Sequence, residues 1–143
     1  MKGTYTQLFV HCVWATWDRL PLITPIYEAQ LYASIADKSG ELGCKVMAIG
    51  GIDNHVHLLV DLPATLTVAQ LLKEVKGVSS HLMTHVLRPG VFFKWQGSYG
   101  AFTVSKDRLP TVRQYIKGQK THHADNILVT DWETWEDDRG SEE

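Results

Sequence analysis

Alternating apolar positions and runs of β-branched side chains mark four candidate strands along the chain. Residues 5–17, YTQLFVHCVWATW, are rich in aromatic and β-branched side chains and predict a long first strand. A second strand is expected over residues 44–53, where a Gly-Gly pair and Asp53 should end it. A third strand, residues 55–63, follows almost at once, so the two are expected to pair as an antiparallel hairpin. The fourth strand is placed near residues 100–105.

Helical periodicity marks three further segments. Residues 26–43 repeat apolar side chains at near-helical spacing, with Thr24 as the expected N-cap and Pro25 at the first helical position. Residues 67–87 carry an apolar stripe that predicts a second helix, which the sequence RPG ends. A third helix is predicted to run from residue 108 to residue 123.

The predicted order of elements is β-α-β-β-α-β with an added C-terminal helix. This is the split βαβ, or ferredoxin-like, pattern, an α+β fold with an antiparallel sheet. Such a sheet carries helices on one face and leaves the other face for a ligand or partner. Because 143 residues can bury one sizeable core, we expect a single domain, residues 1–123, followed by an acidic tail, residues 124–143. Fold alone selects no function.

The composition is that of an ordinary globular protein, with 44% hydrophobic and 21% charged residues. No run approaches the roughly 18 apolar residues of a membrane helix, so no membrane partner is expected. The N-terminus, MKGTYTQLF, has no signal sequence, which predicts a cytoplasmic location. Cys12 and Cys44 each stand alone within an apolar run and are expected to be reduced core residues.

Charge is unevenly distributed along the chain, although the formal net charge is −2. The last twenty residues hold eight Asp and Glu and one Arg, so the first 123 residues carry 13 basic and 8 acidic side chains, a net of +5. A basic body of this kind fits a phosphate-rich ligand, and it also fits an ordinary solvated surface.

Two histidines separated by one valine interrupt the apolar third strand, in DNHVHLLVD (residues 53–61). Side chains alternate faces along a strand, so His55 and His57 are expected to point to the same face of the sheet. Two parallel imidazoles make half of a metal site, but two strand histidines can equally have ordinary hydrogen-bond partners. The pair alone leaves both interpretations open.

The third helix is predicted to present a tyrosine and an amide on one face. Tyr115 and Gln119 are four residues apart, and His122 and His123 follow near that face one turn later. A tyrosine in such a position is often a packing residue, but a phenol beside a divalent metal can attack phosphorus. The side-chain oxygen of Gln119 can join two imidazole nitrogens as a third neutral ligand. Such a set suits a modestly bound Mg²⁺ or Mn²⁺.

Together these motifs resemble the single-tyrosine HUH transposases of the smallest bacterial insertion sequences. HVH at residues 55–57 matches the family's His-hydrophobic-His motif, and YIKGQKTHH, residues 115–123, is similar to its catalytic helix. WQGSYGAFTVS and HCVWATWDRLPLI also look like the family, so the resemblance covers roughly residues 4–123. The REP-associated tyrosine transposases are cousins, and QKTHH favours the insertion-sequence branch.

The resemblance implies a chemistry and a set of roles. His55, His57 and Gln119 would bind Mg²⁺ or Mn²⁺. Tyr115 would attack a phosphodiester of single-stranded DNA, leaving a 5′-phosphotyrosine link and a free 3′-hydroxyl whose later attack rejoins strands without ATP. The family recognises hairpins at element ends and works as a homodimer. Because the appended tyrosine helix can reach a neighbour's sheet, we expect sites shared between subunits.

Further residues complete the expected site and its surroundings. His11 on the first strand is a candidate for lining the site, as are His122 and His123, although the sequence does not fix the face of His11. His81 and His85, four apart on the second helix, are interpreted as helix-surface or phosphate-near residues, since no glutamate of the metalloprotease pattern lies between them. The candidate DNA contacts lie on the second and third helices: Lys73, Lys76, Ser79, Arg113 and Lys117.

Two alternatives remain open at this point. HVHLLV approaches the signature of the histidine-triad nucleotide hydrolases, but Leu59 stands where that family has a third histidine. The second alternative is a non-catalytic nucleic-acid-binding module of the same fold, in which aromatic and basic residues only grip a strand. The presence of both histidines with Tyr115 and Gln119 argues against it.

Overall fold

The four strands form one antiparallel sheet. The computed structural model describes residues 3–124, with side chains described as far as residue 121. The strands are β1 (Phe9–Ala15), β2 (Lys45–Ile52), β3 (His55–Asp61) and β4 (Gly100–Thr103). They lie in the order β2-β3-β1-β4, and neighbouring strands are antiparallel. This confirms the predicted α+β, ferredoxin-like sheet.

The helices follow the predicted order with two departures. They are α1 (Pro25–Glu41), α2 (Val68–His81), α3 (Leu109–Lys117) and α4 (Gln119–Ala124). α2 continues into a π-helical turn, Leu82–Leu87. The single third helix expected from the sequence is two helices, because the chain breaks at Gly118, whose φ of −93° and ψ of 16° leave the helical region. Glycine is a poor helix former, which accounts for the break.

The predicted helix starts are confirmed. α1 begins at Pro25 with Thr24 in the N-cap position. Thr67 precedes α2, and its hydroxyl accepts a hydrogen bond from the backbone N–H of Gln70 at 3.1 Å. Gly43 follows the end of α1 with a φ of +91°, which a residue with a Cβ rarely adopts.

One face of the sheet packs against α1 and α2 and holds the larger apolar core. Alternate residues of β1 and β3 point into this core, and the two helices supply the opposing side chains. Its members include Val10, Cys12, Trp14, Leu31, Ile35, Val56, Leu58, Val60, Leu71, Leu72 and Val75. Cys12 and Cys44 are free and buried, as predicted, and burial followed by the nearby Cys44 raises the pKa of Cys12 to about 12.

The other face is not left open, contrary to the expectation from the fold pattern. α3 lies across β2 and β3, and a second, smaller apolar core forms beneath it. Phe9, Ala48 and Leu59 of the strands pack there against side chains of α3: Leu109, Val112 and Ile116. The helix that was expected to be appended to the fold is therefore part of its packing.

Gly50 of β2 makes this packing possible. The expected strand end at the Gly-Gly pair is wrong, because Gly50 and Gly51 pair with His57 and Val56 inside the ladder. A Cβ at Gly50 would lie 2.2 Å from the backbone oxygen of Ile116 in α3. Glycine at this position therefore allows the backbone of α3 to approach the sheet.

The remaining differences from the sequence predictions concern ends. β1 and β4 are shorter than expected, spanning Phe9–Ala15 and Gly100–Thr103. Apart from Ala124, the predicted acidic tail lies outside the described residues. Among residues 3–124, no helix is both long enough and apolar enough to cross a membrane.

Candidate active site

The two histidines of β3 lie side by side on the face covered by α3. Their rings are 5.0 Å apart between centroids and inclined at 67°. His55 is 1% exposed and His57 is fully buried, although imidazole is a polar side chain. The alternation expected from the sequence is confirmed, since Val56 and Leu58 point into the opposite core. Buried polar rings of this kind require specific partners.

Gln119 is the first partner, and it comes from the start of α4. Its Oε1 lies 3.1 Å from Nε2 of His55, and the amide is fully buried. The orientation of the amide is fixed by its other end, because Nε2 of Gln119 donates to the backbone oxygen of Tyr115 at 3.4 Å. An oxygen acceptor of Gln119 thus faces a ring nitrogen of His55.

The opposite nitrogen of His55 also faces an oxygen. Nδ1 of His55 is 2.8 Å from Oδ1 of Asn54, the residue before it. Both oxygens only accept hydrogen bonds, so a neutral imidazole, which carries one proton, can satisfy one of them. A cation bound by Nε2 of His55 and Oε1 of Gln119 would satisfy the other.

His57 is held by a third histidine, His11 of β1. Nε2 of His11 is 2.8 Å from Nδ1 of His57, and the two rings stack with centroids 5.1 Å apart. Both residues are fully buried. The structure thus settles the face of His11: it points to the site, where the sequence had placed it only as a candidate lining residue.

Tyr115 lies on α3 beside the same pair. Its ring meets the ring of His57 edge to face, with centroids 5.8 Å apart and an interplanar angle of 73°. The side chain is 8% exposed. Although the helix breaks at Gly118, Tyr115 and Gln119 still reach one place, because α4 continues directly from α3. The structure therefore brings together the four residues predicted to form the site.

The chemistry of these donors fits a divalent cation. Nε2 of His55, Nε2 of His57 and Oε1 of Gln119 are the atoms that would hold it, two imidazoles and one amide oxygen. Among the side chains of residues 3–121, no group of three or more His, Cys, Asp or Glu has the geometry of a metal site. In the set named here the amide would be the third protein ligand.

A tether that the sequence analysis missed fixes α4 to the rest of the chain. Nζ of Lys120 is 2.7 Å from Oε1 of Glu28 on α1 and donates to the backbone oxygen of Gly51 at 3.2 Å. Lys120 and Glu28 are 92 residues apart, so no local spacing connects them. The tether follows Gln119 directly and therefore helps to place its amide.

The three predicted DNA contacts on α2 differ in their exposure and hydrogen bonding. Lys73 is exposed. Nζ of Lys76 donates to the backbone oxygens of Gln96 and Ser98, at 2.6 and 3.5 Å. The expectation for Ser79 is wrong: it is fully buried, donates to the backbone oxygen of Val75 and accepts from Nε1 of Trp95. A side chain enclosed in this way cannot contact DNA.

The other predicted DNA contacts lie on α3. Arg113 and Lys117 are exposed there, and Nε of Arg113 donates to the backbone oxygen of Met47 at 3.2 Å. Since α2 and α3 cover opposite faces of the sheet, Lys73 does not share a surface with these two residues. The five predicted contacts therefore do not form one patch.

The remaining predicted histidines divide into two groups. His81 and His85 are exposed, with ring centroids 4.6 Å apart, as expected for surface residues. The backbone of His122 and His123 belongs to α4, but their side chains lie outside the described residues. Leu59, which stands at the third position of the histidine-triad signature, packs against α3 in the smaller core. Position 59 therefore supplies no third imidazole to His55 and His57.

Comparison with known proteins adds to this geometry. Residues 4–119 match the family model described as "Transposase IS200 like". The chain belongs to the IS200-like transposase family. This family implies DNA cleavage and strand transfer as the class of activity, and it confirms the resemblance found in the sequence.

Individual relatives agree with the family. The chain is 26% identical over 124 residues to the ISDra2 transposase TnpA of Deinococcus radiodurans, covering 82% of this chain and 88% of that protein. A transposase structure from Deinococcus radiodurans R1 shares the fold, with a TM-score of 0.62, 24% identity and coverage of 83% and 95%. A REP-associated tyrosine transposase bound to a REP hairpin has a TM-score of 0.66, 16% identity and coverage of 98% and 86%.

Proposed function

We propose that this transposase cuts and rejoins single-stranded DNA through a covalent link to Tyr115. The observation that carries the proposal is the 3.1 Å contact between Nε2 of His55 and Oε1 of Gln119, formed beside a tyrosine ring that packs on a second histidine. A purely structural tyrosine does not require two buried imidazoles and a buried amide beside it. Metal binding by His55, His57 and Gln119 accounts for both.

The proposed reaction is an exchange of one phosphoester bond for another. The phenol oxygen of Tyr115 attacks the phosphorus of a phosphodiester, and the bond from phosphorus to the 3′ oxygen breaks. The phenol loses its proton and the departing 3′ oxygen gains one, which leaves a 5′-phosphotyrosine and a 3′-hydroxyl. Because the link keeps its bond energy, a later attack by a 3′-hydroxyl rejoins strands without ATP. Mg²⁺ or Mn²⁺, when bound, stabilises the charge that develops on the phosphate oxygens.

The chain's own residues prepare this reaction by orientation. The rings of Tyr115 and His57 meet edge to face, and this contact limits the directions in which the phenol oxygen can point. Gln119 is tied to the backbone oxygen of Tyr115, so the metal-binding amide and the nucleophile move together. Docking of α3 and α4 therefore assembles ligand and nucleophile in one step.

We propose single-stranded DNA with hairpin ends as the substrate. A basic net charge of +5 over residues 1–123 supports a phosphate-rich partner. The structural relative described above was solved with a REP hairpin, and it supports the same class of ligand. Exposed Arg113 and Lys117 lie on the helix that carries the nucleophile, so we assign them to the DNA surface near the site and Lys73 to a separate region.

We also propose a homodimer in which sites are shared between subunits. In the single chain, α3 and α4 dock on their own sheet, and all four site residues come from that chain. A shared site requires α3 and α4 to leave their own sheet and occupy the equivalent position on the partner. The reciprocal exchange is compatible with two-fold symmetry.

A covalent-capture experiment tests the nucleophile. Wild-type protein, incubated with labelled hairpin DNA and Mg²⁺ or Mn²⁺, is expected to give a denaturant-resistant adduct that mass spectrometry maps to Tyr115. Tyr115→Phe keeps the ring but lacks the attacking oxygen, so no adduct should form, and a chelator should prevent it in the wild type. Tyr5→Phe, at an exposed position, is the matched control and should form the adduct normally.

Two results would contradict the proposal. An adduct formed by Tyr115→Phe would assign the chemistry to another residue. Tight hairpin binding by the wild type without any cleavage, with metal present, would favour the non-catalytic binding module instead.

A further inference from the structure

His57 forms a buried hydrogen bond with His11, which is not one of the four proposed site residues. We infer that His11 is a positioning residue for the metal site. It accepts the Nδ1 proton of His57 and so directs the lone pair of His57 Nε2 to the cation. This inference rests on the proposed metal-binding function of His57.

The geometry leaves little freedom to either ring. Nε2 of His11 is 2.8 Å from Nδ1 of His57, the rings stack at 28°, and both side chains are fully buried. In the ladder, Val13 of β1 is the direct partner of His57, and His11 is the diagonal neighbour on the same face. Phe102 of β4 lies on His11 at 6.0 Å between centroids, on the next strand of the sheet.

The position of one proton decides whether His57 can bind a metal. If His57 donates from Nδ1, its Nε2 keeps a lone pair and can act as a ligand. If His11 donates instead, a neutral His57 carries its proton on Nε2 and cannot bind a cation there. Metal binding therefore requires His11 to be the acceptor, with its own proton on Nδ1. Metal-binding histidines commonly donate their second ring nitrogen to an acceptor in this way.

The second histidine of the site is held by the same device. Nδ1 of His55 contacts Oδ1 of Asn54 at 2.8 Å, while its Nε2 faces Gln119. Each histidine thus has an acceptor at Nδ1, one from the adjacent residue and one from β1. The contacting atoms differ in one respect: Oδ1 of Asn54 only accepts, whereas Nε2 of His11 accepts or donates according to its tautomer.

A role in core packing alone predicts a different pattern of substitutions. If His11 only fills space between His57 and Phe102, then phenylalanine, which keeps a planar ring, should replace it without effect on metal binding. If His11 acts as an acceptor, then glutamine should replace it better than phenylalanine, because the Oε1 of glutamine can reach a position near that of Nε2. The two roles therefore predict opposite rankings.

The test is the affinity for Mn²⁺ without DNA, measured by electron paramagnetic resonance on the full chain. His11→Phe is expected to lower the affinity 10–100-fold relative to the wild type, since loss of a partner of this kind has about that effect. His11→Gln should recover most of it. Cys12→Ala is the matched control, because Cys12 is equally buried on β1 but points to the opposite face, and its Mn²⁺ affinity should equal that of the wild type.

A second measurement does not depend on any variant. ¹⁵N nuclear magnetic resonance of the wild-type histidines with Mg²⁺ bound should place the proton of His57 on Nδ1 and that of His11 on Nδ1. If the proton between the two rings instead lies on Nε2 of His11, the inference is overturned. This result can be obtained even if His11→Phe fails to fold.

The outcomes separate this inference from the proposed function. If the wild type fails to bind Mn²⁺, the metal site itself is refuted. If the wild type binds Mn²⁺, His57→Ala does not, and a folded His11→Phe binds as tightly as the wild type, then the metal site stands and the role of His11 is refuted.

Discussion

The two faces of the sheet are built from the same strands, but different interactions hold them. On β3, Leu58 points to α1 and α2 and is buried in the larger core, whereas His57 points to α3 and contacts His11 and Tyr115. Two long helices close the first face. The second face is closed by the nine residues of α3 and the short α4, over a much smaller apolar core. Folding should therefore depend mainly on the first face and chemistry on the second.

Adjacent residues of β3 give the strongest test of this division. His57→Ala removes a proposed metal ligand and should abolish cleavage, while most hairpin binding remains, because phosphate contacts lie elsewhere. Leu58→Ala leaves a cavity in the larger core and should lower the free energy of unfolding by about 2–5 kcal/mol. Cleavage per folded molecule should stay near that of the wild type. Urea unfolding and a cleavage assay below the transition measure the two effects.

The comparison fails if the two variants behave alike. Cleavage by His57→Ala at the wild-type rate would refute its role as a ligand. A complete loss of cleavage by Leu58→Ala, in a sample shown to be folded, would mean that the larger core controls the chemistry as well.

Another test of this division disturbs the contact between α3 and β2 on the second face of the sheet. Gly50→Ala puts a Cβ 2.2 Å from the backbone oxygen of Ile116, so α3 must move away from the sheet. Displacement of a reacting group by about 1 Å can lower the rate about 100-fold, and we expect a loss of cleavage of at least that size. The far-ultraviolet circular dichroism should keep its helical signal, because α1 and α2 are untouched.

A matched control exists on the first face. Gly77 lies in α2, and a Cβ there meets no atom within 4 Å. Gly77→Ala should therefore keep full cleavage and raise the free energy of unfolding by about 1 kcal/mol, since alanine is the better helix former. Equal cleavage by Gly50→Ala and Gly77→Ala would show that close docking of α3 is not required.

Gly50 also shows which kind of feature the sequence does not predict. Periodicity identified the four strands and the two long helices, and the alternation of β3 correctly placed His55 and His57 together on one face. These features depend on spacing within single elements, which a sequence displays. A Gly-Gly pair, by contrast, is read as a strand end from local propensity. Its role in admitting α3 depends on a contact with a residue far along the chain.

Other misses also involve contacts between distant residues. Ser79 follows Val75 by four residues and so shares the buried face of α2, where Nε1 of Trp95 donates to its hydroxyl. The partner of His57 is 46 residues away, and that of Lys120 is 92 residues away. Such contacts join elements whose relative placement the sequence pattern does not specify. Local patterns therefore predicted which four residues would lie together, whereas the contacts of His11 and Lys120 follow only from the packing.

Subunit exchange tests the second face in a different way, because α3 and α4, which cover it, are the elements that a partner could supply. Tyr115→Phe and His57→Ala are each expected to be inactive alone. In a heterodimer with shared sites, one site receives both defects and the other receives none. At equal mixing about half of the dimers are heterodimers, each with one intact site, so about a quarter of wild-type cleavage should return.

The control for this experiment is proof of mixing. Differently tagged subunits should co-purify after incubation, which shows that exchange took place. If exchange is demonstrated and the mixture stays inactive, each site belongs to a single chain, as in the docked arrangement of α3 and α4 described above. The assignments of Tyr115 and the metal ligands do not depend on that outcome.

The smallest expected effect concerns the tether of α4. Lys120→Met removes the ion pair with Glu28 and the hydrogen bond to Gly51, so the start of α4 should leave its place more often. Because the side chain of Lys120 is 61% exposed, the pair should contribute only about 0.2–1 kcal/mol, which changes the equilibrium constant for docking by about 1.4- to fivefold. Cleavage at limiting Mg²⁺ should fall by at most that factor.

Metal concentration distinguishes this effect from simple damage to the fold. A cation that binds Gln119 only in its docked position favours that position by mass action, so saturating Mg²⁺ should restore cleavage by Lys120→Met. Lys38→Met is the matched control, since Lys38 pairs with Glu41 at the far end of α1 and with Glu74 of α2, and cleavage should not change at any Mg²⁺ concentration. A deficit in Lys120→Met that persists at saturating Mg²⁺ would assign Lys120 a role in DNA binding or catalysis. If Lys120→Met cleaves at the wild-type rate at limiting Mg²⁺, then α4 holds its position through Gln119 and its own packing, without the contacts of Lys120.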